Sequence, residues 1–144
     1  MRTALLDVNV LLAIVDAEHQ HHRIARDWLS SNDNGRWASC AVTENGFVRV
    51  ISQPRYPRPV TLRHAVAVLR AAQRHDSHEF WPCDISLLDE GQVDLGRLVS
   101  PRQVTDTYLL ALATHHSGRL VTLDRSIAVG SVPGASADNL LVLG

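Results

Sequence analysis

A chain of 144 residues, 45% hydrophobic and 20% charged, has the size of one globular domain spanning residues 1–144, able to bury roughly two thirds of the surface its unfolded form exposes. Fourteen basic side chains against fifteen acidic ones leave a formal net charge of -1, which excludes a global electrostatic pull on nucleic acid or an anionic membrane and leaves only local patches for that purpose. Every basic residue is Arg, so chemistry that needs an ammonium group is excluded as well: Schiff bases, lysine-containing phosphate loops and receiver-type phosphoacceptor domains.

Cys40 and Cys83 stand far apart and in no C-x-x-C pair, so the expectation is two buried thiols in a reducing compartment. The apolar stretch from Thr3 to Val15 is interrupted by Asp7 and Asn9. It is too short and too polar for a membrane span and lacks a small-residue cleavage site. A soluble, cytoplasmic protein with no membrane partner is expected.

Thr3–Leu6 reads as a short buried strand, and Asp7 and Asn9 supply helix caps ahead of the apolar run Val10–Val15. A second amphipathic helix is expected over His19–Ser30, with Ile24, Ala25, Trp28 and Leu29 on its apolar face. Asn32-Asp33-Asn34-Gly35 signals a turn, Trp37–Val42 a central strand, and Thr43 a cap for a helix carrying Phe47, Val48 and Ile51. Pro54, Pro57 and Pro59 then force an Arg-containing loop before helical spacing resumes over Val60–Arg74. Glu79–Pro82 reads as another strand. Ser100-Pro101-Arg102-Gln103 is a capping-box pattern, with Thr105 an alternative cap, for a helix bearing Val104, Tyr108, Leu109, Leu112 and Ala113. Ser117-Gly118 closes that helix, Arg119–Leu123 is a strand, Val129–Ala137 a loop and Leu140–Leu143 a final strand. Strands apolar on both faces that alternate with helices predict an α/β fold around a mainly parallel sheet. Such sheets bind ligands at the carboxyl ends of their strands.

Four acids fall at corresponding places: Asp7 after the first strand, Glu44 at the start of the helix after the second, Asp106 in the first turns of a later helix, and Asp124 after Leu120–Leu123. Each alone is an ordinary cap or turn residue. Together, in a parallel sheet, they would share one edge. Carboxylates that close repel one another unless a cation neutralises them, and an oxygen-only donor set suits Mg²⁺ or Mn²⁺. Phosphoryl transfer is the chemistry that most often uses such a site.

Leu5-Leu6-Asp7-Val8-Asn9-Val10-Leu11, the pair Thr43-Glu44, Val104 to Leu109 and Leu120 to Arg125 resemble the ordered acidic motifs of PIN-domain ribonucleases, more narrowly VapC-type toxins. The resemblance covers essentially the full length. It implies a PIN-like three-layer α/β/α sandwich and a Mg²⁺- or Mn²⁺-dependent endoribonuclease, acting as a toxin restrained by a cognate antitoxin and forming a homodimer. By that resemblance Asp7, Glu44, Asp106 and Asp124 match the metal-binding acids, while Asn9 matches the polar residue that helps hold the first acid. Thr122 matches the hydroxyl two positions before the last acid. The alternative is a non-catalytic RNA- or protein-binding module on the same fold, with the acids serving only as caps and turns.

The segment from Phe47 to His75 holds Arg49, Arg55, Arg58, Arg63, Arg70 and Arg74 and no acid. It is a candidate RNA path or a receiver for an acidic antitoxin segment, with Arg49, Arg55 and Arg58 as the candidate RNA contacts and Tyr56 as a base-stacking candidate. A solvated helix face is the competing reading. His19, His21 and His22, the pair His75 and His78 with Glu79, and the pair His115-His116 are read as surface residues rather than metal ligands, since none fits H-E-x-x-H.

Overall fold

Strand β1 (Ala4–Leu6) opens a computed structural model that describes residues 2–31 and 35–144. The Asn32–Asn34 part of the expected turn lies outside the described residues. Asp7 takes an extended backbone and its side chain accepts the Val8 N–H at 2.7 Å, so helix α1 (Val8–Val15) starts directly behind β1. Asp7 is therefore the cap and Asn9 lies inside the helix, two residues earlier than the apolar run alone implies. Helix α2 (His22–Ser31) packs on α1.

Strand β2 (Trp37–Ser39) is shorter than the expected Trp37–Val42, because Cys40 already caps helix α3 (Ala41–Ile51). Thr43 does not cap by standing before the helix. It sits one turn inside, where its hydroxyl accepts the Cys40 N–H at 3.0 Å and donates to the Cys40 carbonyl at 3.1 Å. Helix α4 (Leu62–Gln73) begins behind Thr61, whose hydroxyl accepts the His64 N–H at 3.1 Å. Strand β3 (His78–Phe80) precedes a long irregular stretch.

The Ser100 capping box forms as the sequence predicts: Gln103 Oε1 accepts the Ser100 N–H at 3.2 Å, and the Ser100 hydroxyl accepts the Arg102 N–H at 3.2 Å. One tight turn over Pro101–Gln103 then runs into helix α5 (Val104–His115), so Ser100 rather than Thr105 starts the helical run. Strands β4 (Arg119–Thr122) and β5 (Leu140–Val142) complete the chain.

The sheet has five strands in the order β3-β2-β1-β4-β5, every neighbouring pair parallel. Side-chain alternation divides the core into two layers. Leu5 and Leu120 face α5 and meet Leu109 and Leu112, whereas Ala4, Leu6 and Val121 face α1, α3 and α4 and meet Phe47 and Leu69. This is the expected α/β/α sandwich. Phe47 and Leu109 are fully buried, and truncating either to Ala costs about 2–5 kcal/mol. Cys40 is buried, but Cys83 is exposed, contrary to expectation, because it lies in the irregular stretch after β3 and outside both layers.

Strand order positions the site. The chain lays down β2 and β3 on one side of β1, then crosses to place β4 and β5 on the other. The order therefore reverses between β1 and β4, the kind of place at which parallel sheets leave a crevice beyond the carboxyl ends of their strands.

Candidate active site

Asp7 closes β1 and Asp124 follows β4, so adjacent parallel strands deliver both to the crevice. Asp106 reaches it from the first turn of α5. Asp7 is buried at 4% exposure, and each of its oxygens has one donor: Val8 N–H on Oδ1 at 2.7 Å and the Thr122 hydroxyl on Oδ2 at 2.7 Å. Thr122 Oγ1 also accepts the Asp124 N–H at 3.0 Å, so one buried hydroxyl orients two acids. Asp124 Oδ1 is fixed by the Ser126 N–H at 2.8 Å and the Ser126 hydroxyl at 2.7 Å.

These surroundings set the proton affinities. Burial pushes Asp7 up, against the Thr122 hydroxyl and the Val8 N–H, with the charge of Asp124 adding to the rise. Asp106 is raised to about 7, first by burial, then by the Asp7 charge and by a hydrogen bond with Asp124. Asp124 is held below the ordinary carboxylate value, first by the Ser126 N–H and hydroxyl, and its bond with Asp106 works the same way. Among the described residues, no Arg or His contributes to the proton affinity of any of the three acids. Asp7 and Asp124 each act on the proton affinity of Asp106, but the oxygens of the three acids do not gather within 4.8 Å of one another; an oxygen-only donor set so spaced suits a hard divalent ion that keeps part of its water shell.

Glu44 has partners of its own. Its Oε2 accepts the Ser39 hydroxyl at 2.6 Å and the Gln73 amide at 2.6 Å, and Ser39 Oγ also meets His78 Nε2 at 2.9 Å. Glu44 lies in the first turn of α3 after β2, which neighbours β1 on the side away from β4. Asn9 is exposed and makes no side-chain hydrogen bond to Asp7; the hydroxyl of Thr122 fills that role.

The Arg candidates also separate. Arg58 is committed to Asp16, with Nε on Oδ1 at 2.8 Å and Nη2 on Oδ2 at 2.7 Å, and Tyr56 donates to the same carboxylate at 2.7 Å. Both thus clamp the proline loop to the end of α1. Arg49 and Arg55 remain exposed. His22 is engaged with the Ala13 carbonyl at 2.7 Å, and His19 accepts the His21 N–H at 3.0 Å, so the first histidine group is spent on local turns.

Sequence reasoning missed Ser39 and Gln73, which bond Glu44 across 5 and 29 residues of chain, and His78, which meets Ser39 across 39, and no pattern links them. It also missed Ser126, for which the Asp-x-Ser spacing was an available signal.

Residues 4–130 match the family profile described as PIN domain. The chain is 56% identical over 140 residues to Ribonuclease VapC44 of Mycobacterium tuberculosis (strain ATCC 25618 / H37Rv), covering 97% of this chain and 99% of the relative. It is 39% identical over 134 residues to Ribonuclease VapC39 of the same strain, covering 92% and 96%. A crystal structure of VapBC2 from Rickettsia felis bound to a DNA fragment from their promoter is similar with a TM-score of 0.64 at 12% identity, over 99% of both chains, a likeness of fold alone.

Proposed function

This chain belongs to the PIN-domain family and to its VapC group, and from that we propose that it is a metal-dependent endoribonuclease, the toxin of a toxin-antitoxin pair. The observation that supports the reading is that Asp7 and Asp124 follow adjacent parallel strands at the strand-order reversal, near enough to Asp106 that both raise its proton affinity. A binding module gains nothing from that repulsion.

Asp7, Asp106 and Asp124 would hold Mg²⁺, or Mn²⁺ in its place, as direct or water-mediated ligands. When bound, the ion supplies a polarised phosphate oxygen and a water acidic enough to attack. The protein's part is positioning. Thr122 and the Val8 N–H fix the Asp7 carboxylate with its remaining lone pairs free, and Ser126 fixes Asp124. An ion held there would favour the ionised Asp106, whose proton affinity is raised to about 7 without one, and would so couple loading of the site to pH. Attack of water on phosphorus with departure of the 3′ oxygen leaves a 5′-phosphate and a 3′-hydroxyl. Glu44, held by Ser39 and Gln73, acts from the flank on water or on the substrate, and Arg49 and Arg55 are the exposed guanidinium groups available to the RNA backbone.

The cognate antitoxin is the protein partner in this reading. A groove of about 360 Å³ between α1, α2 and α4, lined by Leu11, Ile14, Leu29, Trp37 and Val68 with Arg26, offers it an apolar seat and one charge. A homodimer and a cytoplasmic site of action complete the proposal. Among the described residues no helix is long and apolar enough to cross a membrane.

The test is cleavage of purified total RNA by antitoxin-free protein with Mg²⁺, with Mn²⁺ and with chelator, and by folded Asp7→Ala, Asp106→Ala and Asp124→Ala variants. Metal-dependent cuts that end in 5′-phosphates and vanish in the variants support the reading. Intact RNA under every condition with well-folded protein overturns it in favour of a binding module.

A further inference from the structure

We propose that Asp84, His115 and His116 form a second metal site, for a borderline divalent ion of the zinc class, separate from the carboxylate crevice. His116 Nε2 lies 2.9 Å from Asp84 Oδ1 and His115 Nε2 lies 3.4 Å from Asp84 Oδ2. One ligand atom from each of the three lies within 4.8 Å of the others. An ion held tetrahedrally at about 2.0–2.1 Å keeps its ligands about 3.3 Å apart, so the group already stands near coordinating separation. Two imidazole nitrogens and one carboxylate suit zinc, with one position left for water, whereas the oxygen-only crevice suits a hard ion.

The backbone beneath these ligands is locked. At the end of α5 the His116 N–H bonds the Leu112 carbonyl at 3.0 Å, Ser117 adopts a left-handed conformation at φ 57°, and the Gly118 N–H returns to the Ala113 carbonyl at 2.8 Å. That arrangement is a Schellman closure. Gly118 cannot carry a side chain, since a Cβ there would stand 2.5 Å from the Trp81 ring and 2.6 Å from the Thr3 carbonyl oxygen. Trp81 in turn stacks on the His116 ring, with centroids 4.6 Å apart and planes 11° apart, and its indole N–H is anchored by Glu79 at 2.6 Å. The His116 ring is thus fixed from beneath, while the side chains of His115 and Asp84 are 44% and 43% exposed and admit an ion from solvent.

The two sites are independent. His115 lies nine residues along α5 from Asp106, about 13 Å at the helical rise. An ion at the second site would add to the contacts that already join the end of α5 to the stretch after β3, the Trp81 stack on His116 and the Tyr108 hydroxyl on the Ile85 carbonyl at 2.9 Å.

The experiment uses full-length, tag-free protein in excess Mg²⁺, which occupies the carboxylate crevice, titrated with Zn²⁺ against a chromogenic chelator and with Co²⁺ followed by its visible spectrum. The expected result is one equivalent of Zn²⁺ bound at micromolar Kd or tighter, a tetrahedral Co²⁺ band, and an affinity at least tenfold weaker in His116→Gln and in Asp84→Asn. Asp84→Asn and His115→Gln change exposed side chains, so they keep the test valid if His116→Gln disturbs the Trp81 stack. Undiminished binding in all three variants, loss of binding only in a His19→Gln/His21→Gln variant, or no binding beyond that of free histidine would each overturn the proposal. Because Asp7→Asn is expected to leave Zn²⁺ binding intact, failure of this site and failure of the nuclease reading are distinguishable.

Discussion

Helix α1 ends in an aspartate on each side, Asp7 as its N-cap and Asp16 as its C-cap, and the two have opposite surroundings. Asp16 stands where the helix dipole disfavours a carboxylate. With its side chain only 8% exposed, it is matched by the Arg58 fork and the Tyr56 hydroxyl. The guanidinium beside it holds its carboxyl well below the usual range, and Tyr56 is pushed up to about 12, first by burial and then by its bond to Asp16. Asp7 stands where the dipole favours a carboxylate, yet it faces two further acids and no cation, and it and Asp106 are raised. A withdrawn acid with its own cation is a fastening between parts of the fold. Withdrawn acids without one are set up for a cation from outside.

The largest expected effect comes from emptying the uncompensated end. Asp7→Ala or Asp106→Ala should lower single-turnover RNA cleavage by about 10³-fold or more, since ligation of the ion supplies several kcal/mol of transition-state stabilisation. A loss below tenfold in folded protein would break the comparison. Thr122→Val preserves shape but removes the hydroxyl shared by Asp7 and Asp124, and should cost about 10–100-fold in cleavage or metal affinity, read by metal titration of kcat/KM. Glu44→Gln should fall below any of the aspartate losses, because Ser39 and Gln73 hold that carboxylate one strand away; parity with Asp7→Ala would place Glu44 in the crevice after all.

At the compensated end, Arg58→Ala should lower Tm by calorimetry and leave the cleavage rate per folded molecule unchanged. A changed rate with unchanged Tm would return Arg58 to the RNA path. The smallest effect is a pH dependence of the metal-free protein. Asp106 keeps its proton to about 7 when folded, whereas an unfolded Asp loses it near pH 4. Between about pH 4 and 7 the folded state therefore binds the extra proton, and this contribution to stability is lost as pH rises through 7. His19 and His78, held below the ordinary value by burial, act in the opposite sense around pH 6. The difference between Asp106→Asn and wild type isolates the carboxyl: the variant should gain Tm relative to wild type as pH goes from 5 to 8, and saturating Mg²⁺ should narrow that gain.

Much of the fold was legible because its signals are local. Asp7 caps the residue next to it, Ser100 and Gln103 close a box three residues wide, and buried strands show as short apolar runs between helices of period 3.6. The same reasoning put Asp7, Asp106 and Asp124 at strand and helix ends. It tied Thr122 to the last acid through family resemblance and gave the hold on Asp7 to Asn9, since the Thr122–Asp7 bond spans 115 residues. It grouped Glu44 with the other acids without showing that Ser39 and Gln73, 5 and 29 residues away, would bond its carboxylate. It gave Arg58 and Tyr56 to RNA because nothing local shows that Asp16, 40 and 42 residues away, would take them.

By itself, then, the sequence determined which residue types stand at which element ends, the alternation that makes a parallel α/β sandwich, and the supply of acids without lysine. Those follow from hydrogen bonds and side-chain periodicities within a few residues. Only the tertiary structure decided the strand order that sets Asp7 beside Asp124, the bonds of Ser39 and Gln73 to Glu44, the pairing of Asp16 with Arg58, and the meeting of Asp84 with His115 and His116. Those depend on which distant segments pack together, and the free energy that selects them comes from burying the two apolar layers rather than from the polar groups themselves.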